Sequence, residues 1–295
     1  MLPRIFTDVA NGGGSVEPVD AAILTAARAG EPDRYLAALL APAAVRADLL
    51  ALAAFAAELA RIPYAARREP AMAEVRLRWW RDALELPPRS ASGHPIADQL
   101  RRALARHGLD GARLIGLIDA RARDLEPLPF ADDAALEAHL VLTEGALFGL
   151  AAQLLGPATL PPTTWSAASA GQAYGLARLL VGLPAALARG QVPIPQARLA
   201  AAGLAARDLT SAWRPELMRE LVGELGQQAR AHLAAARLEV TKLPRDRSIA
   251  VLPLALVESY VRASVRAVRQ GTQRTTVAPL TRIAKIAGAR MFGRL

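Results

Sequence analysis

The sequence predicts an all-α protein, and two observations support that prediction. Hydrophobic residues make up 53% of the 295 residues but aromatic residues only 4%, so alanine, leucine and valine supply most of the apolar content. This composition favours close-packed helices over a β-sandwich, which relies on aromatic and β-branched side chains. Apolar residues also recur at helical spacing, in stretches that proline and glycine separate. With no internal repeat and no long linker, these stretches predict one helical domain.

Helix boundaries in the first half of the chain follow from local start and stop signals. The first stretch ends at Gly30, and Pro32, Pro42 and Pro70 each stand where a first-turn proline opens a helix. A proline pair at 87–88 closes the helix that Pro70 opens. The helices predicted up to residue 125 cover 21–29, a segment from 32, 42–62, 70–86, 96–107 and 112–125.

The second half of the chain continues the same pattern. Asp132 and Asp133 precede an apolar run, which is typical of an N-cap with a favourable charge at the start of a helix. Leu217, Leu221 and Leu225 begin a series of leucines that falls mostly on helical spacing. The helices predicted here cover 133–155, 165–188, 216–243, 248–270 and 279–292.

Composition and spacing exclude or disfavour several kinds of site. The chain has no cysteine, which excludes disulfides, iron–sulfur clusters, thiolate zinc sites and cysteine nucleophiles. No serine-hydrolase or zinc-protease motif occurs. A metal site is not expected either, because no i, i+4 pair and no neighbouring carboxylate cluster exists among the four histidines, His94, His107, His139 and His232.

No segment is predicted to be a signal peptide or to cross a membrane. Residues 1–20 contain no apolar run long enough for a signal peptide, and the glycines of 12–14 predict a flexible lead. The apolar run Gly145–Leu155 is too short for a bilayer. We therefore expect a protein that is soluble or peripheral to a membrane. The location we predict for it is the cytoplasm of a bacterium, peripheral to the inner membrane.

The positive charge is concentrated at the C-terminus. The chain has 36 basic and 27 acidic residues, and eight of the basic residues lie in 260–295, which contains no acidic residue. The rest of the chain is therefore nearly neutral. In the segment 278–295, apolar residues alternate with basic ones, as in a helix that lies on an anionic membrane surface or lipid. The basic residues of this segment are Arg282, Lys285, Arg290 and Arg294.

Two other interpretations of this basic segment remain open. It is also compatible with a solvated C-terminal end, or with a surface for a protein partner. Binding to nucleic acid is not expected, because Phe292 is the single aromatic residue in the segment that could stack on a base.

Several segments, taken together and in order, resemble the squalene/phytoene synthase family. Two of them look like the two active-site helices of the family, 49–62 (LLALAAFAAELARI) and 170–195. The tryptophan pair of 76–81 (RLRWWR) matches a signature of the family, and the resemblance spans about residues 30–270. The segments that resemble the opening, the mid-chain helices and the late tyrosine helix are 33–42, 117–126, 143–145 and 260–262.

The resemblance implies an isoprenoid-synthase-like helical bundle around a central cavity, formed here by residues 21–277. In the family's enzymes, two facing helices each carry aspartates at i and i+4, which hold magnesium ions on a substrate diphosphate. The arginines at 61 and 178 are candidates to bind a phosphate without metal, or else to form ordinary ion pairs. By resemblance, the residues that would line the cavity or bind a ligand are Phe55, Arg61, Tyr174, Arg178 and Tyr260.

The aspartates that would bind magnesium are missing. The paired positions fall at Ala60 and Tyr64 on the first helix, and at Gly182 and Ala186 on the second. Between residues 48 and 69 the one acidic residue is Glu58, and between residues 144 and 208 there is none. Shifting the alignment by one or two residues therefore does not restore the motifs.

Two functional hypotheses follow from the resemblance. The first is a non-catalytic, membrane-peripheral protein that binds a lipid or assists assembly. In that respect the chain most resembles the branch of the family that lacks the aspartates, which includes a mitochondrial complex I assembly factor and bacterial relatives. This hypothesis implies a respiratory-complex partner and no cofactor. The alternative is an active prenyl transferase of the squalene/phytoene synthase type, which condenses two prenyl diphosphates and requires Mg²⁺.

Overall fold

Helices form nearly all the regular structure of the protein. The computed structural model describes residues 19–66, 70–87, 90–109, 111–126, 128–156, 165–211, 214–293 and 295, and no strand occurs among them. A π-helical turn, Val141–Gly145, joins the seventh and eighth helices, and 3-10 segments cover Arg123–Leu125 and Arg245–Leu256. The α-helices are α1 (Ala21–Gly30), α2 (Pro32–Leu39), α3 (Ala43–Ala66), α4 (Pro70–Glu85), α5 (Pro95–His107), α6 (Gly111–Ala122), α7 (Asp133–Leu140), α8 (Ala146–Leu154), α9 (Ala168–Ala188), α10 (Gln196–Ala201), α11 (Ala206–Ser211), α12 (Pro215–Val240), α13 (Val257–Arg269) and α14 (Pro279–Phe292).

The structure confirms the all-α class and corrects three details of the predicted elements. The helix predicted at 133–155 is divided by the π-helical turn, and the short helices α10 and α11 were not predicted. The helix predicted at 248–270 begins instead as the 3-10 segment, which contains Pro253. Proline lacks the N–H that an α-helix interior requires, so this stretch takes the tighter helix until α13 begins. Most of the lead predicted at 1–20, residues 1–18, lies outside the described residues.

Local signals explain where the helices begin and end. Asp20 and Asp132 are N-caps, because their carboxylates accept hydrogen bonds from the backbone N–H groups of Ala22 (2.7 Å) and Ala135 (2.8 Å). Prolines occupy the first turns of α2, α5, α12 and α14, where a missing N–H removes no helical hydrogen bond. Gly108 ends α5 with a φ of 58°, a left-handed conformation that glycine adopts readily. The N-cap predicted at the acidic pair is thereby confirmed.

Two long helices, α3 and α9, form the centre of the bundle. Helices α1, α2, α4 and α5 pack around α3, whereas α12, α13 and the π-helical turn pack against α9. Residues 48–57 of α3 are buried without interruption, and most of them are alanine or leucine. Small side chains let neighbouring helices approach closely: a Cβ on Gly30 of α1 would overlap the Cβ of Ala57.

Helix α9 makes a close backbone contact with the π-helical turn. A Cβ on Gly171 of α9 would overlap the backbone of Gly145 and would lie 3.0 Å from the carbonyl oxygen of Leu140. Two glycines therefore allow a contact that side chains would prevent. Glu144 lies on the same turn, and π-helical turns frequently occur at functional sites.

Two helical stretches of the described chain are long and apolar enough to cross a membrane by length and composition alone. They are Asp133–Leu154 and Arg245–Arg269, and 44% and 61% of their most apolar windows are buried inside the protein. Because both supply core side chains to the bundle, their length is weak support for a membrane span.

Replacing Gly171 with alanine should destabilise the protein, because the added methyl group must displace backbone rather than a side chain. We expect the free energy of unfolding to fall by about 2 kcal/mol, measured by urea denaturation followed by circular dichroism. Gly182, on the same helix, provides the control, since a Cβ there meets no atom within 4 Å. Gly182→Ala should stabilise the protein by about 0.5–1 kcal/mol. Equal effects of the two substitutions would contradict the close contact at Gly171.

Candidate functional site

Charged side chains from four parts of the chain meet inside the bundle and form what we call the interior ion cluster. Glu31 lies between α1 and α2, and Arg34 lies in the first turn of α2. Arg121 comes from α6, Glu144 from the π-helical turn and Arg178 from α9. Glu31, Arg34 and Glu144 are at most 8% exposed, although charged residues rarely lie so deep.

Glu144 is the centre of the ion cluster, because three arginines surround its carboxylate. Arg34 Nη2 donates to its Oε2 at 2.7 Å, and Arg121 Nη2 donates to its Oε1 at 3.3 Å. Arg178 Nη1 lies 3.7 Å from the same Oε1. A single carboxylate thus links α2, α6 and α9.

Glu31 binds two of the three arginines that surround Glu144. Its Oε2 accepts a hydrogen bond from Arg34 at 2.6 Å, and its Oε1 accepts one from Arg178 at 2.5 Å. The two glutamates therefore share two arginines, so both negative charges are balanced inside the protein.

A second buried group adjoins the ion cluster, and we call it the Asp33 group. Asp33 Oδ2 accepts hydrogen bonds from the hydroxyls of Tyr174, at 2.8 Å, and Tyr260. Its Oδ1 has no hydrogen-bond donor, and the nearest cation is Arg282 Nε of α14 at 3.6 Å. The guanidinium of Arg34 lies over the ring of Tyr174, 5.0 Å from its centroid, which joins the two groups.

Protonation states in this interior are set by burial and by the neighbouring charges. Burial by itself raises the pKa of a carboxyl group, but the surrounding guanidinium groups outweigh that effect and lower the pKa of Glu144 from 4.5 to about 2. Burial and the Asp33 carboxylate together raise the pKa of Tyr174 and of Tyr260. Glu144 is therefore ionised at neutral pH, and both tyrosines remain neutral donors.

The donor set does not fit the magnesium and diphosphate that the family resemblance implies. Three of the four aspartate positions hold Ala60, Gly182 and Ala186, which offer no ligand atom, and the side chain of Tyr64 lies outside the described residues. No group of three or more acidic or histidine side chains in the described ranges could hold a metal ion. Magnesium requires several oxygen ligands in octahedral geometry, whereas the carboxylates of the ion cluster already bind arginines.

Each helix that should carry the paired aspartates contains a proline between the two positions. Pro63 lies inside α3, between Ala60 and Tyr64, and Pro184 lies inside α9, two residues after Gly182. A proline inside a helix removes one backbone hydrogen bond and disfavours straight geometry. Both prolines therefore lie within the segments that the resemblance aligns with the paired aspartates.

A small void and a surface depression border the helices described above. A void of about 20 Å³, enough for roughly one water molecule, lies beside Arg34 and is lined by small and apolar side chains such as Ala38, Leu52 and Ala151. A shallow, solvent-open depression of about 630 Å³ lies on the surface between α7, α10 and α12, and it contains none of the predicted site residues.

The structure brings three of the five predicted cavity residues together and separates the other two. Tyr174, Arg178 and Tyr260 belong to the ion cluster and the Asp33 group. Phe55 is buried in the apolar core, where its ring lies 5.0 Å from that of Trp80. Arg61 points to solvent, with 71% of its side chain exposed, and forms an ion pair with Glu58. Of the two explanations for Arg61 and Arg178, the structure shows ion pairs.

The predicted membrane-surface residues divide in the same way. Arg282 is a correction to that set, because its side chain points inward, toward Asp33 and over the ring of Tyr260 at 5.8 Å. Lys285 and Arg290 are exposed, and Arg294 lies outside the described residues.

Sequence reasoning did not single out Glu31, Asp33, Arg34, Arg121 or Glu144 as site residues. One signal was available for Glu144, which is the single charge within an apolar stretch and therefore either exposed or paired. Arg34 and Arg121 each have one partner three residues away, Glu31 and Asp124, but their links to Glu144 join positions far apart in the sequence.

Removing the charge of Glu144 should destabilise the protein strongly. Glu144→Gln leaves three guanidinium groups without their shared carboxylate, and we expect a loss of about 3 kcal/mol in the free energy of unfolding at pH 7. The control is Glu58→Gln, which removes the surface partner of Arg61 and should cost under about 1 kcal/mol.

The pH dependence of stability, compared between the wild type and Glu144→Gln, gives a second test. Because the pKa of Glu144 is lower in the folded protein than its ordinary value of 4.5, its contribution is complete above that value and is lost as the pH falls toward 2. The stability difference between the wild type and Glu144→Gln should therefore shrink below pH 4.5. A difference independent of pH would show that the charge of Glu144 is not what stabilises the fold.

Comparison with known proteins finds relatives that share a name. Three relatives are the NADH dehydrogenase (ubiquinone) complex I assembly factor 6 of Rattus norvegicus, that of Homo sapiens, and a homolog in Drosophila melanogaster. The rat protein is 28% identical over 235 residues, which is 78% of this chain and 69% of that protein. The human protein is 26% identical, with 77% and 68% covered, and the fly protein 27% identical, with 80% and 72% covered.

Solved structures share the fold at low sequence identity. A dehydrosqualene synthase in complex with ligand superposes with a TM-score of 0.71 at 17% identity, over 93% of this chain and 96% of that one. Squalene synthase HpnC from Alicyclobacillus acidocaldarius superposes with a TM-score of 0.63 at 17% identity, over 84% and 92%. The fold is thus the isoprenoid-synthase-like helical bundle that the resemblance implied. The model of the squalene/phytoene synthase family matches residues 27–283, and the chain belongs to that family.

Proposed function

We propose that this protein is a non-catalytic member of the squalene/phytoene synthase family that assists the assembly of respiratory complex I. One observation carries the proposal: the helices that would bind magnesium and a diphosphate offer Ala60, Gly182 and Ala186, while the interior carboxylates are engaged by arginines. The assignment to complex I assembly comes from the relatives, which are named as complex I assembly factors.

The physical argument against prenyl transfer concerns the leaving group. Ionisation of an allylic diphosphate needs positive charge at the departing oxygens, which magnesium supplies in this family of folds. In the ion cluster the guanidinium groups are already neutralised: Arg34 by Glu31 and Glu144, and Arg178 mainly by Glu31. The positive charge that a diphosphate would require is therefore already paired with glutamates, and these ion pairs hold the helices together.

A gene deletion tests the assembly function directly. In an organism that encodes this chain together with complex I, loss of the gene should lower the amount of assembled complex I at least severalfold, measured by in-gel NADH dehydrogenase activity on native gels. Complementation with the wild-type gene should restore it, whereas an active squalene synthase should not.

The enzymatic alternative is tested on the purified protein. With magnesium and farnesyl or geranylgeranyl diphosphate, pyrophosphate release should not exceed the rate without protein, while a dehydrosqualene synthase assayed in parallel releases it. Clear turnover, or a deletion strain that has normal complex I and lacks an isoprenoid product, would favour the prenyl transferase.

We further propose that the protein acts at an anionic membrane surface through α14. The inner face of this helix packs on the bundle through Arg282, Ile286 and Ala289, at i, i+4 and i+7. Its solvent-exposed side carries four large apolar side chains, spread over about half of the helix circumference and 48–78% exposed: Leu280, Ile283, Met291 and Phe292. Apolar residues exposed together on one helix are typical of an interaction surface.

The charges beside this face indicate an anionic partner. Lys285 and Arg290 are exposed and form no ion pair with any described residue, and 260–295 contains no acidic residue. Long basic side chains beside apolar ones suit the boundary between lipid headgroups and acyl chains. Each basic residue near an anionic surface strengthens the free energy of membrane binding by about 1 kcal/mol. The position of α14 on the outside of the bundle leaves this face free.

Reversing these two charges should weaken binding to anionic membranes. For the double substitution Lys285→Glu and Arg290→Glu, we expect at least tenfold weaker co-sedimentation with vesicles that contain phosphatidylglycerol, with no change for pure phosphatidylcholine. The control reverses two exposed, unpaired arginines of α12, Arg219→Glu and Arg237→Glu, and keeps the same net charge. Equal weakening by both double variants would attribute binding to net charge, and α14 would not be the membrane surface.

A further inference from the structure

One buried arginine in the described part of the chain has no partner. Arg247, in the 3-10 segment before α13, is 4% exposed, and its side chain forms no hydrogen bond or ion pair there. Its Nε is fully buried and without an acceptor. By contrast, the buried Arg34 is bound by two glutamates.

An unpaired guanidinium at this depth is costly. Transfer of a charge from water into a protein interior carries a penalty of several kcal/mol unless an opposite charge or hydrogen-bond acceptors offset it. The nearest acidic residue in sequence, Asp246, is exposed and does not pair with Arg247. No described carboxylate therefore supplies the missing negative charge.

The lack of a side chain at Gly156 leaves the space that the guanidinium of Arg247 occupies. A Cβ at position 156 would overlap Nη2, Cζ and Nε of Arg247, so the guanidinium lies directly against the glycine at the end of α8. Any side chain at 156 would displace the guanidinium. The two positions, one after α8 and one before α13, thus hold a cation at a place that no carboxylate of the described residues reaches.

The start of the 3-10 segment contributes partial positive charge near this side chain. The segment begins at Arg245 without a side-chain cap, and the N–H of Arg247 itself donates to the carbonyl oxygen of Pro244 at 2.9 Å. The N–H groups at the start of a helix carry partial positive charge and attract oxyanions. Arg245 and Asp246 are both exposed and form no ion pair with a described residue, so together they add no net charge.

We propose that Arg247 is a binding site for a phosphate group, which reaches the guanidinium where the 3-10 segment meets Gly156. The planar fork of arginine matches phosphate oxygens bidentately, and the bound anion neutralises the buried charge. The phosphate belongs either to a soluble ion or to a lipid headgroup, and the chemistry of recognition is the same. This site is separate from the interior ion cluster and does not depend on the assembly function.

The first arm of the test uses inorganic phosphate on the full-length protein in phosphate-free buffer at constant ionic strength. Phosphate should raise the melting temperature of the wild type, and Arg247→Gln should weaken its apparent affinity at least tenfold. Arg245→Gln is the matched control and should retain the response. If Arg247→Gln does not fold, Arg247→Lys keeps the charge but loses the fork, and should still weaken the response severalfold.

The second arm distinguishes the source of the phosphate. If the wild type does not respond to inorganic phosphate, its binding to phosphatidylglycerol vesicles should be at least tenfold tighter than that of Arg247→Gln and equal to that of Arg245→Gln. A response in the first arm identifies a soluble phosphate, and a response confined to the second identifies a headgroup. Unchanged behaviour of the Arg247 variants in both arms would overturn the proposal.

Discussion

The carboxylate of Glu144 is the interaction on which the interior of this protein depends. It binds arginines from α2, α6 and α9, and Glu31 completes the network through two of the same arginines. Because an uncompensated charge at this depth costs several kcal/mol, the network favours the one arrangement of helices in which its charges meet. The glycine contact between α9 and the π-helical turn also favours this arrangement, because it lets the turn that carries Glu144 lie against α9.

The ion cluster balances its charges within the chain. Arg34 and Arg178 are shared by Glu31 and Glu144, and Arg121 pairs with Asp124 as well as with Glu144. In an enzyme of this fold, facing carboxylates repel each other until magnesium and a diphosphate join them. In the ion cluster, arginine side chains of the chain itself offset the negative charge of the carboxylates.

The C-terminal helix connects this interior with the surface. Its inner face places Arg282 beside Asp33, which two tyrosines hold from α9 and α13, while its outer face presents apolar and basic side chains to solvent. Arg247 lies in the 3-10 segment that packs against α14. Both proposed anion contacts, at α14 and at Arg247, are therefore associated with the basic end of the chain and leave the ion cluster undisturbed.

The sequence by itself determined the helical class, most helix boundaries and the family, because each of these depends on local spacing, capping residues or an ordered series of segments. It did not identify the ion cluster, the inward direction of Arg282 or the burial of Arg247. Arg34 and Glu144 are separated by 110 positions, Arg178 and Glu31 by 147, and Tyr260 and Asp33 by 227. Periodicity indicates which face of a helix is apolar, but a buried charge is stable only beside its partner. Only the packing of distant helices decides which charges meet.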